Sequence, residues 1–253
     1  MCCGSFYNNP VVIELLDGIF HPGGLALSRL MAERMGLDAH SSVIDIACGN
    51  GRTATYLAKS LRCRVSGIDA SPEMIESAKQ LARDLGIEDR TDFAVALASE
   101  VPYGANSFTA ALSECALCTF HDKERAVREI SRVLTPGGIL GLNDVTVQTH
   151  EELDEELRGL LGRVACVADA LSVSEYTDLF EKRGFEMATS STHSDLLEHM
   201  ARKAKGRARL LRDVGGNDST INRMSDAMRI IGLIEEQIST GNIGYGMFIF
   251  QQK

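Results

Sequence analysis

Two carboxylates and two glycines within a short span carry the first chemical signal in this chain. Val43-Ile-Asp-Ile-Ala-Cys-Gly-Asn-Gly51 reads as an apolar strand running into a glycine turn, with Asp45 inside the strand end. A second strand, Val65-Ser-Gly-Ile-Asp69, ends in another acid. Gly49 and Gly51 let the backbone approach a ligand where any side chain would clash. Thr53 to Leu61 reads as a helix whose free N–H groups point into the same turn. Asp69 is then placed to pair with both hydroxyls of a ribose. The pattern predicts an adenosine-type cofactor.

Gly49-Asn-Gly-Arg-Thr-Ala54 also satisfies the G-x-G-x-x-[G/A] pattern of dinucleotide enzymes, which is a weak signal on its own. Asp45 argues against that reading, because a carboxylate there repels a pyrophosphate and attracts a sulfonium or an α-amino group. The arrangement resembles the first motif of class I S-adenosylmethionine methyltransferases, and Leu134-Thr-Pro-Gly-Gly138 resembles a later landmark of the same superfamily. The resemblance implies S-adenosylmethionine as cofactor, held by Asp45, Ala47, Gly49, Gly51, Asp69, Ala70 and Glu114, with Asp69 on the ribose. Ala47 stands where the family has the first glycine of its motif. The acid that usually meets the adenine amino group is missing near Leu97, which leaves Ala98 or Ser99 to make that contact.

The acceptor side is read from cysteines. Ser113-Glu-Cys-Ala-Leu-Cys118 lies at the end of the fourth strand, where open α/β sheets place their ligand crevice. A single C-x-x-C makes no four-thiolate zinc site, and His193 and His199 have no partner at metal-ligand spacing, so no resident metal is expected. Ser113-Glu-Cys115, then Phe120-His-Asp-Lys123, then Ala165-Cys166-Val-Ala-Asp-Ala-Leu-Ser172 resemble the arsenite methyltransferases. That likeness implies Cys115 and Cys166 as substrate-binding thiols. Thiolates suit soft trivalent arsenic, whose lone pair could attack a sulfonium methyl without a general base. Cys2, Cys3 or Cys118 are candidates for a third thiolate. The family's tyrosine pair and longer leader are replaced by Phe6-Tyr7 and a terminal Cys2-Cys3. In an alternative, the cysteines are incidental, the acceptor is a small organic molecule, and Glu114 and His121 serve as base and orienter. In another, the chain is a non-catalytic metalloid sensor. Cys48 and Cys63 read as small buried thiols.

The elements that must position these residues alternate between short apolar strands and amphipathic helices, which predicts a doubly wound, mostly parallel α/β sheet of seven strands. Strands are expected at 42–47, 64–69, 91–97, 110–114, 139–145, 185–192 and 244–251, with helices at 53–61, 72–85, 123–134, 151–161 and 172–183. Ser71-Pro72 supplies a capping serine with proline in the first turn. Residues 10–20 and 24–36 read as a helical pair broken at His21-Pro-Gly-Gly24. The expected organisation is a helical lid over residues 1–40, a methyltransferase core over 41–194, and a helical insertion with the last strand over 195–253. The insertion carries helical patterns near 195–212 and 219–239 and is expected to cap the substrate end.

At 253 residues, 44% of them hydrophobic, the chain can bury a substantial core. A formal charge of −9 argues against a nucleic-acid partner. The one basic run, Arg202-Lys-Ala-Lys-Gly-Arg-Ala-Arg209, reads as a solvated helix face. No apolar run approaches a membrane span, and seven cysteines without an export signal fit a reducing, cytoplasmic setting. The expected partner is a small molecule or a metalloid.

Overall fold

A computed structural model describes residue 13, residues 15–16, 18–159, residue 162, and residues 166–214 and 218–253. Cys2, Cys3, Phe6 and Tyr7 lie outside the described residues, as do residues 10–12, 14 and 17 of the expected 10–20 helix. The strands are β1 Ser42–Ile46, β2 Arg64–Asp69, β3 Thr91–Val95, β4 Phe108–Glu114, β5 Leu134–Val147, β6 Phe185–Thr192 and β7 Ile243–Gln252. They form one sheet in the order β3-β2-β1-β4-β5-β7-β6. Only β7 runs against its neighbours, pairing antiparallel with both β5 and β6. The doubly wound, mostly parallel sheet expected from the sequence is the observed fold.

The helices are α1 Gly24–Arg34, α2 Arg52–Leu61, α3 Pro72–Leu85, α4 Lys123–Val133, α5 Val173–Glu181, α6 Ser194–Asp213 and α7 Asp218–Ser239. Strand alternation divides the core into two layers. Val43, Ala110, Leu112 and Val145 face the layer of α1, α2 and α3, where Leu27, Leu57 and Ala78 are buried. Ile44, Ile46, Ala111 and Leu142 face α4 and α5, with Val127, Ile130, Tyr176 and Phe180. Ser71 caps α3 as its sequence suggests, accepting from the Met74 N–H at 3.2 Å, with Pro72 at the first position.

Some boundaries differ from the sequence pattern, each for a local reason. β3 stops at Val95, and Ala98 and Ser99 sit in the turn beyond it. β5 starts at Leu134, because Leu134 pairs with Phe108 across a bulge and draws Thr135-Pro-Gly-Gly138 into the strand. The helix expected over 151–161 is instead a 3₁₀ turn at His150–Glu152 and one helical turn at Glu155–Arg158. Extended Leu153 separates them, and the Asp154 carboxylate caps the second by accepting from the Glu156 N–H at 2.9 Å. Helix α1, expected in a lid, packs on the sheet itself: a Cβ at Gly141 of β5 would stand 2.8 Å from Met31 Sδ. No helix among the described residues is long and apolar enough to cross a membrane.

Gly51 is fixed by packing. Its φ is +74°, and a Cβ there would lie 2.6 Å from Ala78 Cβ on α3. Gly36 has a similar φ of +67° with open space around it. Chemical denaturation should therefore separate two costs. Gly36→Ala should lose about 1 kcal/mol from backbone strain alone, and Gly51→Ala about 2–4 kcal/mol because overpacking against α3 is added.

Candidate functional site

The strand order reverses between β1 and β4, and in such sheets ligands bind beyond the carboxyl ends of the strands at that switch. Asp45 of β1 and Glu114 of β4 lie there. By parity both side chains belong to the face covered by α1 and α2, together with Asn143, which pairs in register with Glu114.

Glu114 is the hub of this face. Ser28 Oγ of α1 lies 3.0 and 3.1 Å from its two carboxylate oxygens. Thr53 Oγ1 of α2 donates at 2.7 Å and Asn143 Nδ2 at 3.0 Å. His21 Nε2 stands 3.5 Å from Oε2. His121, expected as its partner, is exposed in the loop before α4, so the histidine that meets Glu114 is His21. The sequence marked His21 only as part of a helix break. That break is what places it: Gly23 takes φ +79°, and a Cβ there would lie 2.8 Å from both Leu27 and Leu196. The chain thus turns tightly beneath α6 and presents His21 to Glu114.

Asp45 is the opposite case. It is 3% exposed and its Oδ2 has no partner among the described residues. Burial, with the nearby Glu114 and Asp69 charges, pushes its carboxyl well above the usual carboxylate range. Three further buried polar atoms, His21 Nδ1, Asn143 Oδ1 and Tyr245 Oη, also have no partner among the described residues. The Tyr245 hydroxyl is pushed up by burial and by the neighbouring Cys115 and Glu114. Native proteins leave few such groups unsatisfied, so these four mark a region able to take further polar contacts.

A cavity of about 440 Å³ opens over this cluster. Asp45, Ala47, Gly49 and Glu114 line it, as do His21, Thr53 and Arg52. Ile19 and Phe20 form one wall, and Leu196 and Met200 of α6 form the other. Gly49 acts by leaving room: a Cβ there would find only Phe20, at 3.9 Å, so it would fill the cavity rather than strike the fold. Ala47 adopts φ +61°, a left-handed conformation that explains why a glycine is the usual residue at that point. Asp69 lies outside this lining and accepts from the N–H groups of Gly49 at 3.0 Å and Ser71 at 2.9 Å. Burial, the largest influence, raises its carboxyl above the usual range. Exposed Ala70 follows it, and the Ala98–Ser99 turn is tied nearby by the Ala96 N–H bond to the Asp69 carbonyl at 3.0 Å. Cys48 is a buried thiol pushed up by burial.

Cys115 and Cys166 are brought together, yet neither lines the cavity. Both occupy left-handed backbone, at φ +53° and +62°, and Cys166 Sγ lies 3.6 Å from the Cys115 carbonyl oxygen. Hydrogen bonding to Cys166 and burial push the Cys115 thiol up, and burial does the same to Cys118. Asp144 completes the group, accepting from the Cys118 N–H at 2.9 Å and the Val145 N–H at 2.8 Å. Among the described residues, no His, Cys, Asp or Glu cluster is arranged to hold a metal ion.

The comparisons with known proteins agree with this geometry. The family model "Methyltransferase domain" matches residues 44–142. Methyltransferase GfsG of Streptomyces halstedii is 30% identical over 167 residues, covering 65% of this chain and 59% of that protein. The 27-O-demethylrifamycin SV methyltransferase of Amycolatopsis mediterranei is 30% identical over 190 residues, covering 74% of this chain and 69% of that protein. In fold, the chain matches the [4+2]-cyclase SpnF at a TM-score of 0.80 and 24% identity, covering 98% of this chain and 94% of that one. The seven-stranded sheet is that of the class I methyltransferases. The chain belongs to the methyltransferase-domain family, a family of S-adenosylmethionine-dependent enzymes.

Buried Asp144 also has a consequence for stability. Burial, the largest influence, raises its carboxyl to about 7. Between the ordinary carboxylate range and pH 7 the folded protein therefore holds a proton that the unfolded chain has lost. Stability from this group is highest at low pH, falls as pH rises toward 7, and then levels off. The slope it contributes is at most about 1.4 kcal/mol per pH unit. Asp45, also raised, adds a slope of the same sign. Urea unfolding at pH 5 and pH 7.5 should show a smaller loss across that interval in Asp144→Asn than in wild type.

Proposed function

We propose that this protein transfers a methyl group from S-adenosylmethionine to a small organic acceptor held between the Ile19–His21 turn and α6. The observation that supports this most strongly is that Asp45 and His21, whose buried Oδ2 and Nδ1 have no partner among the described residues, line one pocket together with Glu114. Asp45 would meet the cationic end of the cofactor, Ala47 and the Gly49–Gly51 turn its methionine part, Asp69 and Ala70 the ribose, and Ala98 and Ser99 the adenine. When bound, S-adenosylmethionine supplies an electrophilic sulfonium methyl and is released as S-adenosylhomocysteine.

Glu114 already accepts from Ser28, Thr53 and Asn143, so we read it as a positioning group rather than as a direct ligand of the cofactor. With its Nε2 turned to Glu114, His21 keeps Nδ1 as the nitrogen able to take a proton from an acceptor hydroxyl or ammonium. The carboxylate then stabilises the imidazolium that forms. Phe20, Leu196 and Met200 keep water away from the reacting atoms.

A second reading, methylation of a thiolate-bound trivalent arsenic species, is favoured by the convergence of Cys115, Cys118 and Cys166. It is the weaker reading, because Cys166 and Cys118 are buried, the surroundings of Cys115 and Cys118 push their thiols up, and the cavity is walled by other residues.

S-adenosylhomocysteine formation across a panel of hydroxy, amino and thiol acceptors, with arsenite as one member, separates the readings. We expect turnover with an organic acceptor that survives Cys115→Ser and Cys166→Ser. Arsenite-dependent turnover lost in both variants would instead establish the metalloid substrate. Cofactor bound but never consumed would sink both. His21→Asn should lower kcat by roughly 10²–10⁴-fold, with cofactor affinity within about two-fold of wild type as judged by calorimetry. Asp45→Asn should weaken S-adenosylmethionine binding by about 10–100-fold, the worth of a hydrogen bond to a charged group.

A further inference from the structure

The basic run on α6 is split among three surroundings. Arg202 pairs with Glu198 at 3.6 Å, and Lys205 pairs with Glu235 of α7 at 2.6 Å. Arg209 is exposed and takes no part in the cavity. His199, Lys203 and Arg207 do line it, on the same helical stripe as Leu196 and Met200. Residues four apart on a helix rise about 6 Å, so the three form a ladder along one wall. Arg207 Nη1 donates to the Leu15 carbonyl at 3.2 Å and is held there. Lys203 is exposed at the mouth and has no hydrogen-bond or ion-pair partner among the described residues.

The cavity is therefore polarised. Its floor holds Asp45 and Glu114, its middle Ile19, Phe20, Leu196 and Met200, and its mouth the cations of α6. A cationic cofactor end belongs at the floor. An anion there would be repelled, whereas at the mouth it meets Lys203 and, a helical turn away on either side, His199 and Arg207. The cofactor's own carboxylate has a nearer cation in Arg52, which follows directly on the Gly49–Gly51 turn. A single unpartnered charge above an acidic floor suits a monoanion better than a dianion.

We propose that the His199–Lys203–Arg207 stripe is the subsite for a carboxylate on the methyl acceptor, so that the acceptor is an amphiphilic acid bound with its carboxylate outward and its reacting atom toward His21. This rests on the methyl-transfer reading and assigns its substrate class. The solvated helix face expected for the run applies to Arg202 and Arg209, while Lys203 turns toward the cavity.

The test compares 4-hydroxyphenylacetate with its neutral amide, titrated by calorimetry into the protein with and without saturating S-adenosylhomocysteine. The acid should bind at least about ten-fold more tightly than the amide. Lys203→Gln should remove that preference and leave S-adenosylhomocysteine affinity unchanged. Arg209→Gln, with the same charge change on the outer face, should keep the preference. Equal binding of acid and amide, or binding of neither, would overturn the proposal. So would a Lys203→Gln effect confined to S-adenosylhomocysteine, which would assign the lysine to the cofactor. Failure of wild type to bind S-adenosylhomocysteine strikes instead at the methyl-transfer reading, since the acid–amide comparison is also made without it.

Discussion

Burying negative charge without a cation beside it is the constraint around which this molecule is arranged. Asp45, Glu114 and Asp69 stand close enough at the carboxyl ends of β1, β4 and β2 to raise the Asp45 carboxyl together with its burial. Two of the three are offset by donors: Glu114 by side chains from α1, α2 and β5, and Asp69 by backbone N–H groups of the glycine turn and of Ser71. Asp45 has no such offset at Oδ2. A group so placed either holds a proton or awaits a positive ligand, and both states follow from the same geometry. The strands, α1 and α2 can be viewed as the scaffold that keeps this charge in place.

The glycine turn shows how one short motif serves two ends. Gly51 is demanded from behind, by Ala78 of α3, and Gly49 from in front, by the space it leaves in the cavity. Ala47 accepts left-handed backbone strain of about 1 kcal/mol in the same turn. Strain recurs at Cys115 and Cys166, both left-handed and 3.6 Å apart from Sγ to carbonyl oxygen. Such strain persists only where the surrounding packing over-determines it.

The fold was readable because its signals are local and repeated. Ser71-Pro72 predicts its cap, β2 and β6 have the expected limits, and the two insertion helices fall where the periodicity puts them. Asp45 and Glu114 were readable because each ends an apolar strand, and strand ends at a switch point are where crevices form. His21 was not, because its importance comes from a tight turn under Leu196, which is distant in sequence. Ser28, Thr53 and Asn143 were hidden for the same reason: small polar residues within helices and strands give no signal until the fold brings them to one carboxylate. Gly49 was expected to leave room for a ligand and does face the cavity, whereas the demand on Gly51 comes from Ala78 of α3, a contact that local sequence does not convey. Cys115 and Cys166 were linked only through the resemblance to the arsenite methyltransferases, and the absence of both from the cavity lining depends on packing that spacing cannot convey.

The division between core and insertion gives the cavity its two chemistries. The carboxylates proposed to face the cationic end of the cofactor stand on β1 and β4, and Ser28, Thr53 and Asn143, which donate to Glu114, come from α1, α2 and β5. The walls that would select an acceptor come from α6 and the Ile19–His21 turn, which meet at Leu196 and Gly23. Helix α6 is itself fixed from outside, through Lys205 to Glu235 and through packing on α7. Changes on the cavity side of α6 can therefore alter which acceptor fits without disturbing the carboxylates beneath.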